Sequence, residues 1–92
     1  MIAREAVIGH KLGLHARVSA RLVKLSAEFA SRINISRADH ADGMNADARS
    51  ILSILMLAAA FGTKVLVSAE GIDEQDAVNA VCQYLERVDP SE

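Results

Sequence analysis

Apolar residues in this chain recur at strand spacing, then at helix spacing, then at strand spacing again. The order of those periods constrains the fold more than any other feature. In RINISR, Ile33 and Ile35 alternate with polar residues, so residues 32–37 read as a half-buried strand. Val18, Leu22, Leu25 and Phe29 fall three or four positions apart, which predicts an amphipathic helix over residues 16–29. IAREAVI at residues 2–8 has strand composition, interrupted by Arg4 and Glu5 and followed by Gly9. ADHADG at residues 38–43 is a polar turn, with Gly43 as its residue permissive of positive φ, and a short return strand over 44–46 completes a hairpin. Asp47 is placed to cap a second helix running to Ala60 and ended by Gly62. TKVLVSA at residues 63–69 supplies the last strand and Gly71 a turn. Asp73 can then cap a final helix whose inward stripe is Ala77, Val78, Val81, Cys82 and Leu85.

This order implies an α+β fold: an open-faced β-sandwich in which a four-stranded antiparallel sheet is covered on one face by three helices (βαββαβα). The outline is ferredoxin-like, and many unrelated functions share it. A length of 92 residues suits one domain, read here as residues 1–88 with a short tail at 89–92. Only Phe29, Phe61 and Tyr84 are aromatic, so the core is aliphatic and few platforms exist for stacking nucleic-acid bases. Net charge is −2, which also argues against nucleic acid as a partner. One cysteine excludes an intramolecular disulfide framework and a multi-cysteine zinc site. The longest nearly apolar run, Ile51 to Phe61, is 11 residues, well short of the ~20 needed to span a bilayer. MIAREAVIGH carries charges where a secretory signal is apolar, so a cytoplasmic protein without membrane insertion is expected.

Charge is unevenly spread. Between Lys11 and Lys24 lie Arg17 and Arg21 and no acid, whereas from Glu70 onward there are seven acids and only Arg87 as a base. His10, after the first strand, and His40, in the hairpin loop, have no partners at metal-ligand spacing and are expected at the surface; Cys82 is expected in the core. His15 differs by its setting. It follows KLGL and immediately precedes the first helix, where backbone N–H groups lack intrahelical acceptors and attract anions. Arg17 brings a guanidinium able to engage two phosphate oxygens, and Arg21 and Lys24 extend a basic stripe at i+4 and i+7. Gly13 lets the chain bend sharply there. A neutral imidazole is a competent nucleophile toward a phosphoryl donor. Spacing alone is equally consistent with an exposed histidine beside unrelated bases.

The segment Gly13-Leu14-His15-Ala16-Arg17 resembles the active-site motif of the HPr family, the histidine-containing phosphocarriers of the bacterial phosphoenolpyruvate-dependent sugar phosphotransferase system. Ala48-Arg49-Ser50-Ile51-Leu52 resembles that family's segment around its regulatory serine, and LMLAAAFGT and SAEGIDEQDA continue the likeness in order. The resemblance implies a carrier and not an enzyme: His15 accepts a phosphoryl group on Nδ1 from phosphorylated enzyme I and passes it to a histidine of an enzyme IIA domain. It implies that Arg17 neutralises the phosphoryl oxygens, assisted by the backbone N–H groups of Ala16 and Arg17. It also implies docking through Arg21, Lys24 and Arg49 with Ile51, Leu52 and Leu55, and regulation at Ser50 by an HPr kinase/phosphorylase. No cofactor or metal is implied, and the carrier is expected to be a monomer.

Three features depart from the family pattern: Val18 stands where proline is frequent, the 38–43 loop is longer than usual, and Phe61 stands where polar residues are frequent. Ser50 also reads as an ordinary first-turn helix serine. Two other readings remain beside the sugar-system carrier: a regulatory or nitrogen-branch phosphocarrier, which KLGLHAR fits equally, and a ferredoxin-like interaction module in which His15 only caps a helix.

Overall fold

The structure, a computed structural model, describes residues 1–38 and 45–88. The hairpin loop with His40 and Gly43, the first residue of the expected return strand, and the expected tail at 89–92 lie outside them. The elements run β1 (Ile2–Val7), α1 (Ala16–Ser26), β2 (Arg32–Arg37), β3 (Asn45–Asp47), α2 (Ile51–Met56), β4 (Lys64–Glu70) and α3 (Glu74–Glu86). The four strands form one antiparallel sheet in the order β1-β4-β2-β3. This is the expected βαββαβα sandwich.

Strand alternation sorts the sheet into two faces. Ala6, Ile33, Ile35, Ala46, Val65, Val67 and Ala69 are buried and meet Val18 and Leu22 of α1, Ile54 of α2, and Ala77, Val78, Val81 and Leu85 of α3. The other face carries cross-strand rows such as Ala3, Ser68, Asn34 and Asp47, and Glu5, Leu66, Ser36 and Asn45. Arg4, which breaks the apolar pattern of β1, shares the parity of Ala6 and donates from Nη1 to Asn79 Oδ1 of α3 at 3.0 Å. A charge pointed inward on an edge strand also hinders pairing with another chain.

The strand limits lie within one residue of the sequence expectation, and three helix boundaries differ from it. Helix α1 stops at Ser26 and not Phe29, because Glu28 N–H and Phe29 N–H turn back three residues to Leu25 and Ser26 carbonyls. Helix α2 begins at Ile51, since Asp47 is claimed by β3, where it pairs with Asn34. Asp47 does not cap: its Oδ1 accepts from Arg49 N–H, and Ser50 is the N-cap, its Oγ accepting from Ser53 N–H at 3.3 Å. The same helix ends at Met56, and Ala58 then takes φ +51°.

His10 is the clearest reversal. It is 1% exposed, its Nε2 lies 2.8 Å from Tyr84 C=O, and the two rings stand 5.0 Å apart. The chain after β1 passes beneath the end of α3, where Gly9 N–H donates to Leu85 C=O, so His10 is carried inward. Cys82 is buried as expected, and burial pushes its thiol pKa up, away from reactivity.

Asp73 sits at the N-cap of α3 but makes no side-chain capping bond. Its carboxylate instead accepts from Ala30 N–H at 2.8 Å, Ser31 N–H at 2.9 Å and Ser31 Oγ, clamping the α1–β2 connection to the start of α3. Gly71 makes the clamp possible. Its φ is +156°, and a Cβ there would lie 2.6 Å from Ser31 Cα. The Ser31 side chain and the Ala30 amide hold the Asp73 carboxyl below its ordinary value. A carboxyl depressed on folding contributes stability above the ordinary aspartate pKa of about 3.9 and loses it as pH falls through the lower folded value. Asp73→Ala is therefore expected to lower the urea midpoint at pH 7, with the gap to the native protein narrowing below pH ~4; a gap independent of pH over that window would remove the clamp from the account.

Candidate functional site

The site is built on the segment between β1 and α1. Ile8 bonds the segment before β4 through both backbone groups, its N–H donating to Thr63 C=O and its C=O accepting from Gly62 N–H, and Gly13 N–H then folds back on His10 C=O at 2.9 Å. Gly13 takes φ +71°, and a Cβ there would stand 2.6 Å from Ala59 C=O. Only glycine allows that approach without displacing backbone. The turn delivers Leu14 N–H to Ala59 C=O at 3.0 Å, while Leu14 C=O accepts from Ser19 Oγ at 3.0 Å. With the Leu14 side chain buried, both peptide groups flanking it are held.

His15 follows in an extended conformation, φ −76° and ψ 178°, as the N-cap of α1. Its carbonyl accepts from Ser19 N–H at 2.8 Å, the first intrahelical bond, and its side chain makes no capping bond. The N–H groups of Ala16, Arg17 and Val18 precede that first bond, and the first turn contains no acid. Such an end favours negative charge. The ring is partly exposed, and the atom shielded from solvent is Nε2.

Ala16 and Arg17 are exposed on either side of the helix start, while Val18 is fully buried and its carbonyl accepts from Tyr84 Oη at 3.2 Å. Valine, where the family often has proline, thus contributes packing to the helix start. Arg21 and Lys24 are exposed further along α1, on the side away from Val18 and Leu22. Helices α1 and α2 pack together. On α2, Ile51, Leu52 and Leu55 are exposed while Ile54 is buried.

Two contacts orient α2 against α1. Arg49 Nη2 donates to Phe29 C=O and, at 3.4 Å, to Ser31 C=O, placing the start of α2 near the end of α1. Ala59, beyond α2, meets Leu14 at the start of α1. The helices are therefore antiparallel, and Ser50 lies about one α1 length from His15, on the order of 15 Å. Arg49, expected on the docking rim, is exposed, yet its guanidinium braces the α1–β2 connection. Ser50 is an N-cap and not a first-turn residue.

Sequence reasoning missed Met56 and Leu12, which are 58% and 65% exposed. Leu12 lies in a segment without periodicity, and Met56 was absorbed into an apolar run whose outward members only the helix orientation reveals. Phe61 is 63% exposed, one residue past Ala60, whose Cα lies 2.9 Å from the Cβ position of Gly13. Among the described residues no group of three or more His, Cys, Asp or Glu could hold a metal ion. Two open grooves, one lined by Arg32, Asp47, Arg49 and Glu70 and the other by Leu25, Gln83, Tyr84 and Arg87, both leave His15 outside. No helix among the described residues is long and apolar enough to cross a membrane.

Residues 2–87 match the family model described as PTS HPr component phosphorylation site. The phosphocarrier protein HPr of Cupriavidus necator is 43% identical over 81 residues, covering 88% of this chain and 86% of the relative. The phosphocarrier protein NPr of Shewanella violacea is 33% identical over 85 residues, covering 92% and 89%. The crystal structure of a phosphocarrier protein HPr from Bacillus anthracis superposes with a TM-score of 0.84 at 30% identity, covering 91% of this chain and 95% of that one. A chain matched over this span, with this fold, belongs to the HPr family of phosphocarrier proteins of the phosphotransferase system, carriers and not enzymes.

Proposed function

We propose that residues 1–88 act as a monomeric cytoplasmic carrier that takes a phosphoryl group on His15 from phosphorylated enzyme I and hands it to a histidine of an enzyme IIA domain. The observation that carries this reading is a partly exposed histidine at the N-cap of α1, set before the Ala16 and Arg17 amides at a helix start that contains no acid. The Nδ1 lone pair of a neutral ring attacks phosphorus as the donor's N–P bond breaks, and that bond's electron pair returns to the donor imidazole. The shielding of Nε2 supports Nδ1 as the reacting atom. Arg17 and the amides stabilise the equatorial oxygens while charge is redistributed among them.

Partner docking uses Arg21 and Lys24 on α1 with Ile51, Leu52 and Leu55 on α2. Bases at the rim steer acidic partners and an apolar centre supplies contact, which suits complexes that must form and part quickly. Ser50, at the start of that apolar surface, is a regulatory site for an HPr kinase/phosphorylase. A phosphate there faces the α2 N-terminus and places charge beside Ile51 and Leu52, where a docking partner must desolvate it. The acceptor range of enzyme IIA domains separates the sugar branch from the nitrogen branch.

Incubation with phosphoenolpyruvate and enzyme I is expected to give an acid-labile adduct on His15. His15→Ala should abolish it with the fold retained, and Arg17→Ala should slow transfer roughly tenfold or more. Native protein that gains no adduct from a cognate enzyme I rules the reading out. Ser50→Ala should lower stability by about 1 kcal/mol through loss of the cap. Ser50→Asp should keep the cap and still slow transfer; equal transfer rates for Ser50→Asp and native protein in stopped quench measurements count against regulation at this position.

A further inference from the structure

The geometry points to Arg37, the last residue of β2, as a positioning residue for His15. The inference rests on the carrier reading and adds a group that neither touches phosphate nor belongs to the docking helices. Arg37 shares the parity of Ile33 and Ile35, so its side chain leaves the sheet on the helix-covered side. There its Nη1 donates to Leu57 C=O and to Ala58 C=O, at 3.4 Å each. Carbonyls at a helix end lack intrahelical donors, and a cation satisfies them.

What those carbonyls do next links them to the site. Leu57 N–H and Ala58 N–H close tight turns on Ile54 and Leu55 carbonyls, and Ala58 adopts φ +51°, a region that a residue with a Cβ enters only when its surroundings hold it there. That reversal aims Ala59 C=O at Leu14 N–H, 3.0 Å away, against the bare Cα of Gly13. Leu14 is bonded to His15, and its own carbonyl is held by Ser19 Oγ. Arg37 thus anchors the α2–β4 connection, the anchored connection fixes Leu14, and Leu14 fixes where the His15 ring begins. A nucleophile displaced by a fraction of its approach distance loses rate steeply.

The test measures hydrogen exchange at the Leu14 amide, phosphoryl acceptance from phosphorylated enzyme I, and exchange at the Val67 amide in the sheet centre, using the full chain. Arg37→Ala is expected to speed Leu14 exchange roughly tenfold or more while Val67 keeps its protection. The same variant should accept phosphoryl groups roughly tenfold more slowly. Arg37→Lys, which restores a cation of shorter reach, should recover part of both effects. Leu14 exchange and transfer both within twofold of native overturn the proposal, as does parallel loss of protection at Leu14 and Val67, which would make Arg37 merely structural. If Arg37→Ala does not fold, Arg37→Gln is read by the same criteria. Native protein that accepts no phosphoryl group overturns the carrier reading instead, and the Leu14 exchange of the variants still decides whether Arg37 holds the connection.

Discussion

The backbone contact between Leu14 N–H and Ala59 C=O, made where Gly13 passes Ala59 without a Cβ, is the joint on which the rest of this structure turns. It ties the segment leading into α1 to the segment leaving α2, two stretches separated by more than forty positions in the chain. One consequence is that α1 and α2 run antiparallel with the N-terminus of α1 held open at its end. A second is that the segment before α1 is restrained by backbone and by Ser19 Oγ, without a side-chain capping bond from His15. Loops that carry function gain precision when a rigid scaffold fixes them in this way.

The sandwich separates its tasks by face. Buried aliphatic residues between sheet and helices hold the architecture, while the outward sides of α1 and α2 combine bases with exposed Ile51, Leu52, Leu55 and Met56. Such an apolar surface is unfavourable to leave in water. The clamp of Asp73 on Ala30 and Ser31, and the Arg49 contact to Phe29 C=O, brace the opposite end of α1. The helix bearing the site is thus secured at both ends, by different means.

Much of this was legible in the amino-acid sequence, for reasons that vary with the element. Strand β2 was read to the residue because strict alternation on a one-sided sheet leaves no other register. The order of elements followed from the change of period, and His15 stood out because a turn glycine, a helix start and three spaced bases coincide around it. The end of α2 is not legible because Ile51 to Phe61 is nearly all apolar, and composition does not register the reversal at Ala58. Asp47 and Asp73 both stand where the sequence predicts a cap. Aspartate at a helix start is a good capping residue, but a strand pairing claimed the first and the Ala30 and Ser31 amides claimed the second. The burial of His10 is not legible because a lone histidine after a strand carries no pattern, and it depends on where the end of α3 lies.

The sequence by itself determined the alternation along β2, the inward stripes of α1 and α3, the order of helices and strands, and the coincidence of histidine, glycine and bases, because these depend on local period and on neighbours within a few positions. Only the tertiary structure decided where α2 stops, which carbonyl meets Leu14, which groups Asp73, Arg37 and Arg49 engage, and how far Ser50 lies from His15. Those outcomes are set by groups distant in the chain competing for the same hydrogen-bonding partners, and that competition is resolved only once the sheet and helices have packed.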